Sequence, residues 1–180
     1  MLLRDDLLVW IDLEMTGLDP HENKIIEIAS IITDSELSII AEGPNIVINQ
    51  PEEELAKMDE WNVSHHTANG LVGKVRDSSI NIKEAEQITC DFLAKYCIPN
   101  TALLCGNSIG TDRLFLFFHM PDLEKFVHYR SIDVTSVKEL TRRWYPNGKK
   151  YRKNSGHRAL DDIRGSIEEL KLYREYFFRE

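Results

Sequence analysis

The chain has 180 residues, 42% of them hydrophobic and 29% charged, which suits one domain spanning 1–180 with a full core and excludes a disordered or membrane-embedded chain. A net charge of -8 argues against a protein that coats long duplex nucleic acid through many phosphate contacts. No apolar run is long enough to span a bilayer and residues 1–6 lack a basic signal-peptide start, so the expected location is cytoplasmic.

The first apolar run, residues 7–13, is closed by Thr16-Gly17 and reads as a strand buried on both faces. Side chains alternate along a strand, so Asp12 and Glu14 point to one face while Ile11 and Leu13 point to the other. Two ionised groups in an interior strand cost several kcal/mol each unless a cation compensates them, and no Lys or Arg lies between Asp5 and Lys24. Two readings follow: a hard divalent cation such as Mg2+ or Mn2+ held by the paired oxygens, or a strand end whose acids reach solvent. Residues 18–23 are rich in turn formers, and 25–33 is a second apolar, β-branched run. A third run, 37–48, is broken by Gly43-Pro44, and the short links predict an antiparallel meander. A helical pattern begins at Glu52 with Leu55 and Met58, residues 61–70 form a polar-aromatic segment with His65 and His66, and 82–96 reads as an amphipathic helix packing through Ile88, Phe92, Tyr96 and nearby Ala85.

Residues 102–106 form a buried strand, 107–110 a loop, and a helix runs from about 111 to 120 with Asp112 in its first turn. Its segment 114–118 is apolar all round, which predicts a central helix or one buried between subunits. A strand at 129–133 and a helix at 134–144 lead into a basic loop, 145–156. The last helix, 157–177, packs through Ile163, Ile167, Leu170 and Phe177, while Leu172 and Tyr176 turn away from that stripe. These two apolar patches predict a homodimer with an isologous interface. The fold class is α/β: a mixed five-stranded sheet, antiparallel meander first and parallel strands after, flanked by helices. Between Leu140 and Leu160 there are seven basic residues and no acid, either a solvated loop or a local field that draws a small anion. Cys90, Cys97 and Cys105 show no metal-binding spacing and read as reduced packing residues.

Asp12, Glu14, Asp112 and Asp162 are the acids that one cavity can join, and His157 lies five residues before Asp162, at or just before the N-terminus of the last helix. Two-metal phosphoryl-transfer hydrolysis uses such carboxylates, with a histidine to take the water's proton. Taken singly, Asp112 and Asp162 are first-turn helix acids and His157 a capping residue. Together, Asp12-Leu13-Glu14, Asp112 and His157-Arg158-Ala159-Leu160-Asp161-Asp162 resemble the three motifs of the DEDDh family of 3'-to-5' exonucleases. The stretches 10–20, 58–71, 105–121 and 128–145 resemble its oligoribonuclease branch.

The resemblance implies a ribonuclease H-like fold, a homodimer, and hydrolysis of dinucleotides and other very short RNA from the 3' end to nucleoside 5'-monophosphates. It implies two divalent metal ions, Mg2+ or Mn2+, held by Asp12, Glu14, Asp112 and Asp162, with His157 as general base and Asp161 out of register. It further implies Leu18 as a wedge between two bases, Trp61 and His66 flanking the scissile nucleotide, and Ser108, Arg130 and Thr135 around the 5' phosphate, with Tyr129 reaching in from the partner subunit. From the residues alone, Leu18 reads equally as a turn leucine closing the core, Trp61 as core, and Arg130 as a surface salt-bridge residue. A broader exonuclease trimming longer RNA or DNA is opposed by the net acidity and by the lack of an aromatic-rich basic groove. A catalytically inactive binding module is opposed by the presence of all five motif residues.

Overall fold

The computed structural model describes residues 3–152 and 158–178. The strands are β1 (Leu8–Met15), β2 (Ile25–Thr33), β3 (Ile39–Glu42), β4 (Ile46–Val47), β5 (Leu103–Gly106) and β6 (His128–Asp133). The helices are α1 (Glu52–Leu55), α2 (Glu60–Ala68), α3 (Leu71–Asp77), α4 (Ile82–Leu93), α5 (Ile109–His119), α6 (Pro121–Phe126), α7 (Val134–Trp144) and α8 (Ala159–Phe177). One sheet has the order β3-β2-β1-β5-β6, with β4 also on β2. β1 is antiparallel to β2 and parallel to β5, and β5 is parallel to β6.

The third apolar run is two short strands, both antiparallel to β2, which makes the sheet six-stranded. Gly43 and Pro44 break the run for different reasons. Pro44 has no N–H for the ladder, while a Cβ on Gly43 would lie 2.2 Å from Ser30 Oγ and 2.7 Å from the Phe92 ring.

Alternation along β1 creates two cores. Val9, Ile11 and Leu13 pack with Phe92 and Leu93 of α4 and with Phe115 and Leu116 of α5. Leu8 and Trp10 pack on the other face with Val134 of α7 and Ile163, Ile167 and Tyr173 of α8. The even-numbered side chains of β1 therefore face α8, and Asp12 and Glu14 continue that series toward the strand's end.

Two packing expectations are corrected. In α4 the buried stripe is Ala85, Thr89, Phe92 and Leu93, and Ile88 is exposed; Thr89 tolerates burial because its hydroxyl donates to the Ala85 carbonyl at 2.8 Å. In α8, Leu172 is partly buried against the core, so only Tyr176 of the expected second patch is exposed. The all-apolar stretch of α5 is split between two environments: Phe115 and Leu116 are fully buried, while Leu114, Phe117 and Phe118 are exposed.

Candidate active site

Parallel β5 stops at Gly106, one residue past its last pair with β1, while β1 runs on to Met15, and crevices beyond such strand ends are where open α/β sheets bind ligands. Asp12 and Glu14 come to that edge from β1, and Asp162 comes from the first turn of α8. Each offers a carboxylate oxygen, and these oxygens all lie within 4.8 Å of one another. Three carboxylates so close repel strongly, and an all-oxygen donor set at this spacing fits a hard divalent cation.

Asp112 is treated differently by the fold. It is buried in the first turn of α5, and its Oδ1 accepts a hydrogen bond from the Leu13 backbone N–H at 3.0 Å. It thus abuts β1 between Asp12 and Glu14 but stands outside the group of three. Burial pushes its pKa up to about 7, against the lowering effect of the Leu13 N–H. His157 lies outside the described residues. Asp161 is exposed.

An acid that the sequence reading passed over completes the local electrostatics. Glu27 stands directly across from Glu14 in the β1–β2 register, and it is fully buried. The Arg158 guanidinium grips it through Nε, at 3.1 and 3.0 Å from the two oxygens, and through Nη2. The Ala159 backbone N–H also donates to it at 3.4 Å. α8 has no side-chain cap of its own at Arg158, so a strand carboxylate serves that helix N-terminus instead. The signal was present, since Glu27 is the only charged residue in the run 25–33.

The residues expected around the substrate fall into three settings. Leu18 is 77% exposed and Trp61 67% exposed, so neither closes the core. Leu18 is displayed by a tight turn: a Cβ on Gly17 would lie 2.4 Å from Asn23 Oδ1, and that oxygen accepts from the Asp19 N–H. Trp61 stacks on His65, with ring centroids 4.7 Å apart. His66 is 1% exposed, contrary to the polar character of its segment. Its Nε2 is 3.1 Å from the Met15 carbonyl and its Nδ1 4.0 Å from Glu14 Oε2. Burial lowers its pKa, so the neutral ring donates from Nε2 and turns the Nδ1 lone pair toward the acids.

Ser108 and Thr135 are built together where β5 and β6 end. The Ser108 N–H donates to Asp133 Oδ1 and to Thr135 Oγ1, both at 2.9 Å, and the two hydroxyl oxygens are 3.1 Å apart. Thr135 donates to Asn107 Oδ1, and Asn107 Nδ2 donates to Ser166 and Glu169 of α8. Arg130 is not brought into this cluster: its guanidinium lies 5.3 Å over the ring of exposed Tyr129.

Residues 9–170 match the exonuclease family of RNase T type. The chain is 58% identical to an oligoribonuclease of Vibrio vulnificus and 57% identical to one of Vibrio parahaemolyticus, covering 99% of each chain in both pairs. Among solved structures it resembles exonuclease I from Methylocaldum szegediense, with a TM-score of 0.71 and 19% identity over 94% of this chain. It spans only 40% of that longer protein, and this likeness shows the fold. No helix among the described residues is long and apolar enough to cross a membrane.

Proposed function

The chain belongs to the exonuclease family, in its oligoribonuclease group, and we propose from that premise how its side chains divide the work of a 3'-to-5' exoribonuclease acting on short RNA. The carrying observation is the convergence of Asp12, Glu14 and Asp162 from two separate elements. With Asp112 at the strand between them, these acids would hold two divalent ions, Mg2+ or Mn2+. When bound, such ions lower the pKa of water and offset charge that develops on the phosphate.

His157 acts as the general base that takes the proton of the attacking water, and the bond that breaks releases a nucleoside 5'-monophosphate. Exposed Leu18 inserts between the two bases and exposed Trp61 stacks on one of them; this supports a substrate gripped by its bases rather than by a long basic groove. Buried His66 backs Glu14 and bounds the scissile nucleotide. Ser108 and Thr135 present hydroxyls to the 5' phosphate, with Arg130 swinging off Tyr129 to join them and Tyr129 arriving from a second copy. The exposed Leu114, Phe117 and Phe118 of α5 form the isologous homodimer contact, which light scattering at micromolar concentration tests. The chain acts as a single domain in the cytoplasm.

A time course on 5'-labelled RNAs, from dinucleotides to decamers, tests the central reading with Mg2+ or Mn2+ added. Dinucleotides should be consumed fastest, to monophosphates, and a chelator should stop the reaction. Equal rates at all lengths would remove the short-substrate assignment.

A further inference from the structure

Residues 142–151 of the basic stretch build a cavity of their own, whereas Arg158 stays beside the acids on Glu27. The space of about 210 Å3 lies between α7, α8 and the segment 145–151, lined in part by Lys138, Arg142, Lys149, Lys150, Tyr151 and Tyr173. From Asp162 to Tyr173 is eleven residues, about 16 Å along the helix axis. Aromatic packing fixes the walls: the Tyr145 ring lies 5.0 Å from Phe177, which lies 6.1 Å from Tyr173. Gly148 closes the turn by donating to the Tyr145 carbonyl at 2.8 Å, and a Cβ there would lie 2.7 Å from the Phe177 ring.

The cations are arranged before any ligand arrives. Lys138 Nζ is 3.0 Å from Glu169 Oε1, and the Tyr173 hydroxyl donates to that same oxygen at 2.7 Å. Arg142 pairs with Glu139 at 2.9 Å. These two acids hold two of the cations in place, yet neither is among the residues lining the cavity, and Lys149 and Lys150 add positive charge to it. With Lys138 and Arg142 offset by Glu169 and Glu139, the positive charge left at the cavity is that of Lys149 and Lys150, a local reversal of field in a chain of net charge -8.

We propose that this cavity is a second ligand site, separate from the acids, that binds the phosphate monoester of a nucleoside 5'-monophosphate. A dianionic monoester is satisfied by charge-assisted hydrogen bonds from Lys149, Lys150 and Arg142. Tyr145 and Tyr151 supply flat faces for a base or sugar, which a bare inorganic anion would leave uncovered. A polymer carries diesters and needs an extended groove, whereas this space of about 210 Å3 is a single small hollow that holds a phosphate and leaves the base or sugar on its aromatic rim. The ligand class is the one that hydrolysis of short RNA releases, so occupancy would rise as substrate is consumed. Binding itself needs neither metal nor turnover, so its failure and that of the hydrolytic reading are separable.

The test is calorimetric titration of the metal-free protein, with chelator present, using adenosine 5'-monophosphate, adenosine and inorganic phosphate. The monophosphate should bind, adenosine should not, and inorganic phosphate should bind at least tenfold more weakly. Lys149→Glu/Lys150→Glu should weaken monophosphate binding at least tenfold, and Lys150→Gln should weaken it less, with thermal melts of both variants close to the parent's. Asp12→Ala should leave this affinity unchanged. Undiminished binding in the double variant, loss of binding in Asp12→Ala, equal affinity for adenosine or inorganic phosphate, or no binding at millimolar concentration would each overturn the proposal.

Discussion

Glu14 and Glu27 face each other across β1 and β2, and the fold handles them in opposite ways. Glu27 is enclosed and gripped by Arg158, a cation from the same chain. Glu14 is half-buried and crowded against Asp12 and Asp162. A buried acid with a dedicated arginine is a structural fixture, because breaking such a pair leaves an uncompensated charge in the interior. Crowded acids at the edge of the sheet are the reverse. Their mutual repulsion is a cost to the bare fold that a divalent cation would lift.

The sharpest break in this comparison is removal of one acid from each class. Asp12→Ala, Glu14→Ala and Asp162→Ala should each lower hydrolysis of a dinucleotide by about a thousandfold or more, since metal-borne charge stabilisation is worth several kcal/mol and each tenfold is about 1.4 kcal/mol. Their metal-free melting temperatures should hold or rise, because a repelling charge has gone. A variant with near-normal turnover would take its residue out of the site.

Arg158→Met should do the opposite to the fold. It strands Glu27 in the interior, so urea unfolding should show a loss of about 3 to 5 kcal/mol. Glu27→Gln/Arg158→Met removes both charges and should recover much of that loss. Comparable losses in the single and double variants would mean that Arg158 stabilises through its packed stem rather than through Glu27.

How much of this could be read in advance depends on the range of each interaction. The bounds of β2 and α7 follow from local pattern, and the shared face of Asp12 and Glu14 follows from the strand period alone. Asp162 needed only its place in a helix's first turn. Glu27 and Arg158 are 131 residues apart in the chain, and no periodicity joins them; their pairing exists only once α8 lies on the sheet. The same holds for α4, where spacing alone favours Ile88 but the sheet meets Thr89, and for His66, whose neighbours are polar in sequence while its ring is enclosed against β1. Arg130 shows the limit from the other side: strand placement was legible, but the side chain rests on Tyr129 rather than on Ser108 and Thr135.

That placement makes Arg130→Ala a finer test of substrate length. If the guanidinium leaves Tyr129 to meet a terminal 5' phosphate, the rate on a 5'-phosphorylated dinucleotide should fall about tenfold or more, the scale of a charge-assisted hydrogen bond of about 1.5 to 3 kcal/mol. A heptanucleotide, which presents a diester and a further nucleotide at that point, should be cleaved at nearly the parent rate. Equal losses on both lengths would assign Arg130 to general RNA binding.

The smallest expected effect concerns Asp112, which stands between the two classes of acid: buried like Glu27, yet next to the crowded group. Its pKa in the fold, about 7, exceeds the usual 3.8, so its contribution to stability is fully present below about pH 4 and is lost as the pH rises toward 7. Asp112→Asn keeps an oxygen to accept from the Leu13 N–H and removes the charge that burial opposes. Without metal, the variant should therefore be more stable than the parent at pH 7, by about 1 kcal/mol or more, which is about 2 to 4 °C in melting temperature for a chain of this size. At pH 4 most of the gain should be gone, and below the usual value of 3.8 it should vanish, because the parent is then largely neutral at this position in both states. Added Mg2+ or Mn2+ should reverse the order at pH 7, since a ligand that binds only the folded parent raises its stability by mass action while the variant has lost a donor. A gain of equal size at pH 4 and pH 7 would place the effect in packing. Persistence of the variant's advantage in saturating metal would leave Asp112 holding the end of β1 through Leu13, with the cation served by Asp12, Glu14 and Asp162 alone.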